Sequence, residues 1–140
     1  MSPDGSKLFV TGSSVGATSD FDFATVAYAA SNGTQLWLQR YNGPANYADG
    51  AEALGVSPGG SRVYVAGPSY GRTTRVDAAT AAYAASTGAK LWLRRYKDPG
   101  NRLADARALA LSPDGSKVFI TGATKSEQEP DYLTVAYSAR

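Results

Sequence analysis

β-Branched Val63 and Val65 alternate with Arg62, Tyr64 and Ala66, a stretch closed by Gly67 that reads as a β-strand. The small-and-apolar run Ala51–Val56 precedes it. Between them lies Ser57-Pro58-Gly59-Gly60, which reads as a tight connection because Pro presets φ and Gly tolerates positive φ. Two more strands follow, Ala79–Ala85 around Tyr83 and Lys90–Tyr96, joined at Thr87-Gly88. The matching dipeptide earlier in the chain is Asn32-Gly33, which predicts a two-residue hairpin. Alanine is a strong helix former, so its abundance is a counter-signal. The turn dipeptides nevertheless recur too closely for an amphipathic helix of ordinary length. The prediction is strands throughout.

The four-strand pattern repeats. Ser2-Pro3-Asp4-Gly5-Ser6-Lys7-Leu8-Phe9-Val10-Thr11-Gly12 returns at Ser57–Gly67 and at Ser112–Gly122, a step of 55 each time. Residues 2–56 and 57–111 agree at 28 of 55 positions, which makes this a duplication rather than a shared bias. Asp22–Tyr28 is echoed by Asp77–Tyr83 and Asp131–Tyr137, and Leu36–Tyr41 by Leu91–Tyr96. The chain thus divides into repeats 2–56, 57–111 and 112–140, about two and a half copies.

Composition narrows the chemistry. The 140 residues contain neither cysteine nor histidine. That excludes disulfides, thiolate nucleophiles, Cys/His zinc sites, a Ser-His-Asp triad and imidazole acid/base work. A formal charge of +2, without charge runs, gives no footprint for nucleic acid or an acidic membrane. No leader follows Met1 and no apolar stretch is long enough to span a bilayer, so any export signal is expected outside this chain.

Four short antiparallel strands in a repeat of this length are the signature of a β-propeller blade. The fold class expected over residues 1–140 is therefore all-β, a partial propeller of about two and a half blades in an incomplete ring. Ala51, Ala53 and Gly55 suit the crowded axis, and Trp37, Tyr41, Trp92 and Tyr96 the diverging rim. The stretch Ala82-Tyr83-Ala84-Ala85-Ser86-Thr87-Gly88-Ala89-Lys90-Leu91-Trp92 resembles the tryptophan-docking motif of quinoprotein-like propellers, Ala-x-Asp-x-x-Thr-Gly-x-x-x-Trp. Ala82, Thr87, Gly88 and Trp92 match it, as do Ala27, Gly33 and Trp37, with Asn32 in place of Thr. Ala29 and Ala84 replace the motif's Asp. The Ser-Pro-Asp-Gly landmark is similar to the pyrroloquinoline-quinone-like and WD-repeat-like propeller repeats of bacterial secreted and surface proteins. The resemblance implies a Trp wedged between neighbouring blades. It does not specify an activity, because fold does not carry function.

The residues that could carry chemistry also have plain structural readings. The glycines of Gly55–Arg62 and Thr121–Ser126 lack the spacing of a phosphate loop and are accounted for by hairpins. Asp20 and Asp22, or Glu127, Glu129 and Asp131, lack the remaining ligands of a Ca²⁺ loop. Asp22, Asp77 and Asp131 recur just ahead of the third strand and are expected to accept backbone N–H groups in Asx-type turns. Arg40, Arg94 and Arg95 follow the rim tryptophans, with Arg72 and Arg75 in a loop; they are read as a solvated rim rather than a single-strand nucleic-acid site. Asn32-Gly33-Thr34 fits a glycosylation sequon, but a turn role is preferred.

No catalytic, cofactor-binding or metal-binding residue emerges. Near-identical copies leave little room for the convergence of different groups that catalysis needs. The copies differ most at Ser13–Phe21, Pro68–Val76 and Ala123–Pro130, and variable loops on a fixed scaffold are where specificity sits. The expected function is a non-enzymatic propeller module for binding or scaffolding, from an exported or cell-surface bacterial protein, with a protein or glycan ligand. The rival is a fragment of a quinoprotein-like or glycan-active propeller enzyme with its catalytic residues in other blades. Rings need typically four to eight blades, so the chain is not expected to close one alone. It either self-associates, a two-fold pair giving a homo-oligomeric ring, or belongs to a longer propeller. The second is preferred, because Met1 stands where Val56 and Leu111 stand in the other copies.

Overall fold

The computed structural model describes residues 1–73, 76–100, 102–125 and 130–140. The protein is all-β. Its strands are β1 (Lys7–Val15), β2 (Phe21–Ala29), β3 (Gln35–Tyr41), β4 (Ala53–Val56), β5 (Arg62–Tyr70), β6 (Val76–Ala84), β7 (Lys90–Tyr96), β8 (Leu103–Leu111), β9 (Lys117–Lys125) and β10 (Pro130–Ser138). They make three antiparallel sheets, β1-β2-β3, β4-β5-β6-β7 and β8-β9-β10, none of them closed. No helix among the described residues is long and apolar enough to cross a membrane.

The registers follow the sequence step. Leu8 pairs with Tyr28 and Val10 with Val26; 55 residues on, Val63 pairs with Tyr83 and Val65 with Ala81. Alternation along each strand then gives every sheet two faces. The front carries Leu8 and Val10 in the first sheet, Val63 and Val65 in the second, and Val118 and Ile120 in the third. The back carries Phe9, Tyr64 and Phe119 respectively. One core joins the back of the first sheet (Phe9, Phe23, Ala27, Trp37, Tyr41) to the front of the second (Val63, Val65, Ala81, Tyr83). The other joins the back of the second (Tyr64, Ala66, Ala78, Ala82) to the front of the third (Val118, Ile120, Leu133). The sheets are stacked in one sense, back to front, twice.

Each junction is built on the same three aromatic positions. Trp37 lies 5.8 Å from Phe9 in its own sheet and 6.3 Å from Tyr83 in the next, between ring centroids. Trp92 lies 5.9 Å from Tyr64 and 6.2 Å from Tyr137 in the same arrangement. Rings at such separations gain edge and offset contacts beyond the area they bury. Inner strands approach closely because of glycine. A Cβ at Gly67 would stand 1.9 Å from the Gly50 carbonyl oxygen, and one at Gly122 would stand 1.8 Å from that of Asp105.

Four expectations need correction. The connection at Asn32-Gly33 is longer than two residues, spanning 30–34, with Gly33 N–H bonded to the Ala29 carbonyl. Only Gly33 has positive φ, whereas a two-residue type I′ turn needs it at both positions. The second strand of each copy also continues past the glycine that was expected to close it, to Val15, Tyr70 and Lys125. The edge of that strand is still paired there, so the variable loops shrink to the few residues between it and the next strand. Asp22, Asp77 and Asp131 accordingly lie inside β2, β6 and β10 rather than ahead of them. The innermost strand of the second copy begins at Ala53, preceded by an isolated bridge between Asp49 and Ser69.

Candidate functional site

The front of the second sheet carries a buried polar cluster where β5, β6 and β7 end together. Register sets Ser69 opposite Asp77 and Ala79 opposite Arg95, so all three side chains share that face. Arg95 reaches along the sheet to Asp77 Oδ2, with Nε at 3.0 Å and Nη2 at 2.9 Å. Its Nη1 donates to the Tyr41 hydroxyl and to Ser69 Oγ, and Nη2 also donates to the Ser69 carbonyl at 3.0 Å. Those bonds use all five guanidinium donors. Arg95 is locked, and its side chain is 15% exposed. The expected solvated rim is therefore wrong at this position, because Tyr41 from the back of the first sheet covers it.

The same arrangement on the front of the first sheet has no cover. Arg40 Nη2 donates to Ser14 Oγ at 2.8 Å, Nη1 stands 3.6 Å from Asp22 Oδ2, and the Arg40 side chain is 39% exposed. Asp22 accepts the Ser19 hydroxyl at 2.7 Å. Among the described residues no backbone N–H donates to Asp22 or Asp77 as the turn reading expected; each faces an arginine instead. Asp131, on β10, does accept a backbone N–H, from Tyr132. Arg94 stands 5.7 Å from the centre of the Trp92 ring, so a charge does lie beside that indole.

Beside the cluster is a cleft of about 340 Å³ between the first two sheets and their linker. Phe21 from the start of β2, Pro68 and Tyr70 from the end of β5, and Asp49 and Glu52 from the linker line it. Asp49 is buried and anchors the linker. Its Oδ2 accepts the Gly43 N–H and its Oδ1 the Tyr70 N–H at 3.2 Å. Burial pushes its carboxyl above the usual range, against the pull of Ser69, Gly43 and Arg95. Burial, then the neighbouring charge of Asp105, also pushes Glu52 up. Tyr47 meets Tyr70 edge to face at 4.9 Å, and Phe21, Tyr47 and Tyr70 all leave ring area open to solvent. A second, more polar cleft of about 470 Å³ lies at the other junction, where Tyr96, Asp98, Arg102, Thr124 and Asp131 face one another.

The remaining sequence candidates fall apart from this cluster. Arg72 donates to the Pro44 carbonyl at 2.8 Å and so pins the same linker. Asp20 is exposed in the turn before β2. Asn32 Oδ1 accepts the Thr34 N–H at 3.0 Å, as Thr87 Oγ1 accepts the Ala89 N–H at 3.2 Å, which explains why Asn substitutes for Thr in that motif. Gly60 N–H bonds to the Ser57 carbonyl, so the glycine-rich stretch there is a turn. Arg75, Glu127 and Glu129 lie outside the described residues. Among the described residues no three acidic side chains converge as metal ligands. Sequence reasoning missed Asp49, Glu52 and Tyr41 as partners of Arg95 and the cleft. Asp49 has no signal in the repeat, since its counterpart is Ala104. No protein-family model and no curated protein matches the chain.

Proposed function

We propose that the chain is a non-enzymatic β-propeller module, its three sheets serving as blades, from an exported or cell-surface bacterial protein of the quinoprotein-like propeller kind. The support for blades is the twofold use of one back-to-front junction with a tryptophan at its centre. The ligand proposed for it is a glycan, bound in the cleft between the first two sheets.

One observation carries the ligand reading. Two partly open aromatic rings, Phe21 and Tyr70, line a cleft whose acidic groups are Asp49 and Glu52, and Tyr47 packs against Tyr70 beside it. A pyranose ring offers an apolar C–H face to such rings and a hydroxyl donor to the exposed Glu52 carboxylate, while Asp49 holds the cleft wall. The arginine beside the cleft has no donor to spare for a substrate anion. The linker between β3 and β4 and the end of β5 are tied by Asp49, so the cleft is formed before a ligand arrives, which lowers the ordering cost of binding.

Titrating neutral oligosaccharides into ¹⁵N-labelled protein tests this. Saturable shifts at Tyr70, Glu52 and Gly50, lost in Tyr70→Ala, are expected. Shifts confined to other surfaces, or none with any neutral glycan, contradict it.

A further inference from the structure

Among the described residues two sheet faces are left without a partner: the front of the first sheet and the back of the third. The first exposes Leu8, Val10 and Leu38 to between 41% and 49%, beside half-buried Val26 and Tyr28. The corresponding residues of the second sheet include Val63, Val65, Ala81 and Tyr83, none more than 1% exposed, because the back of another sheet covers them. The back of the third sheet exposes Phe119 together with Thr121, Thr134 and Ala136. Their counterparts in the second sheet, Tyr64, Ala66, Thr80 and Ala82, are fully buried under the front of a neighbour.

We propose that these two faces bind each other in trans, the back of the third sheet of one chain docking on the front of the first sheet of a second copy. The occupant follows from the two internal junctions. Both are back-to-front, and the free pair is one front and one back whose second and third strands keep the same register, although the third sheet has no outer strand to supply the tryptophan of the internal junctions. Apolar residues on one strand pair meet an aromatic and small residues on the other, as Val63 and Tyr83 meet Phe9 and Ala27. At the second junction Arg62 donates to the Ala139 carbonyl at 3.1 Å. Lys117 holds Arg62's position on the third sheet, and Ala30 holds Ala139's on the first, so a donor and an acceptor are again in place. The contact is heterologous, using different patches on the two copies, and it either closes a ring or continues as a chain. This inference stands on the sheet faces alone and does not depend on the cleft or its ligand.

The test uses one charged substitution on each face. Val10→Asp blocks the front of the first sheet, and Phe119→Asp blocks the back of the third. The unsubstituted chain is expected to show a mass above one chain in multi-angle light scattering, rising with concentration. Each variant alone is expected at the mass of one chain, with an unchanged circular dichroism spectrum. An equimolar mixture is expected at twice that mass, because one intact face of each kind is restored. A monomeric unsubstituted chain overturns the proposal, as does a mixture that stays monomeric or a variant that associates as the unsubstituted chain does. If either aspartate variant fails to fold, Leu38→Lys with Ala136→Glu poses the same question on neighbouring positions.

Discussion

The indole N–H of Trp37 donates to the carbonyl oxygen of Ala85 at 3.1 Å, joining the outer strand of the first sheet to the turn that follows β6 in the second. The other junction lacks this bond. There the equivalent carbonyl, that of Ala139, is taken by the Tyr64 hydroxyl at 3.0 Å, and Trp92 Nε1 is buried with no partner. Phe9 stands where Tyr64 stands in the second copy, so one added hydroxyl redirects the bond.

Trp37→Ala should be the more damaging of the two tryptophan substitutions. Trp37 is 7% exposed and Trp92 only half-buried. Loss of roughly 3–5 kcal/mol is expected for Trp37, with a smaller loss for Trp92, read from denaturant midpoints at constant m. Equal losses would mean that the hydrogen bond and deeper burial contribute nothing.

Tyr64→Phe should cost about 1 kcal/mol or less. The substitution removes a buried hydroxyl but leaves the Ala139 carbonyl its bond from Arg62 and opens it to the orphaned Trp92 indole. A loss of several kcal/mol would show that Trp92 does not take up the acceptor.

Arg95→Met and Arg40→Met test one ion pair in two settings. Removing Arg95 leaves Asp77 buried without its partner, a change that typically costs about 3–5 kcal/mol. Removing Arg40 from its exposed pair should cost about 1 kcal/mol or less. Similar values would contradict the covering role of Tyr41.

Stability should fall at both ends of the pH scale. Asp4 is held down from 3.8 to about 2 by the Ser2 hydroxyl, then by the Ser6 amide and hydroxyl. Asp114 is held from 3.8 to about 2 by Ser112 and then Ser116. Their contribution is complete above the unfolded value and is lost as pH falls through the folded one. Asp4→Asn with Asp114→Asn should flatten that acid limb. Tyr83 is pushed from 10.0 to about 12 by burial, then by Tyr41. The unfolded chain then loses this proton first, so stability declines as pH rises between those values. Tyr83→Phe should reduce the alkaline decline, leaving the share of Tyr137, which burial also pushes up, and chemical denaturation at stepped pH measures both limbs.

Much of the fold was legible because the sequence states it more than once. The strand pattern, the 55-residue step and the count of about two and a half copies all follow from alternation and turn residues. The length of the second strands was not, since Gly12, Gly67 and Gly122 read as stops. At Gly67 and Gly122 the missing side chain instead admits a neighbouring backbone. The cluster at Arg95 was hidden for a different reason. Its covering partner, Tyr41, comes from a strand 54 residues away, and the cleft beside it is walled by the linker residues Asp49 and Glu52. Local periodicity reports neither. The Asn32 turn was misread because its side-chain bond to Thr34, rather than a positive φ, is what Asn supplies.

The back-to-front junction is the claim on which the account rests, and Gly88 reports on it most directly. This residue has φ of +74°, and a Cβ added to it would stand 2.8–2.9 Å from the Trp37 ring atoms. One Gly88 α-proton therefore points into the face of the indole. Proton NMR of the folded chain should show that resonance shifted well upfield by the ring current, with NOEs to the Trp37 ring and with loss of the shift in Trp37→Leu. A Gly88 α-proton at its random-coil position, with no NOE to Trp37, would contradict the junction and with it the stacking of the sheets.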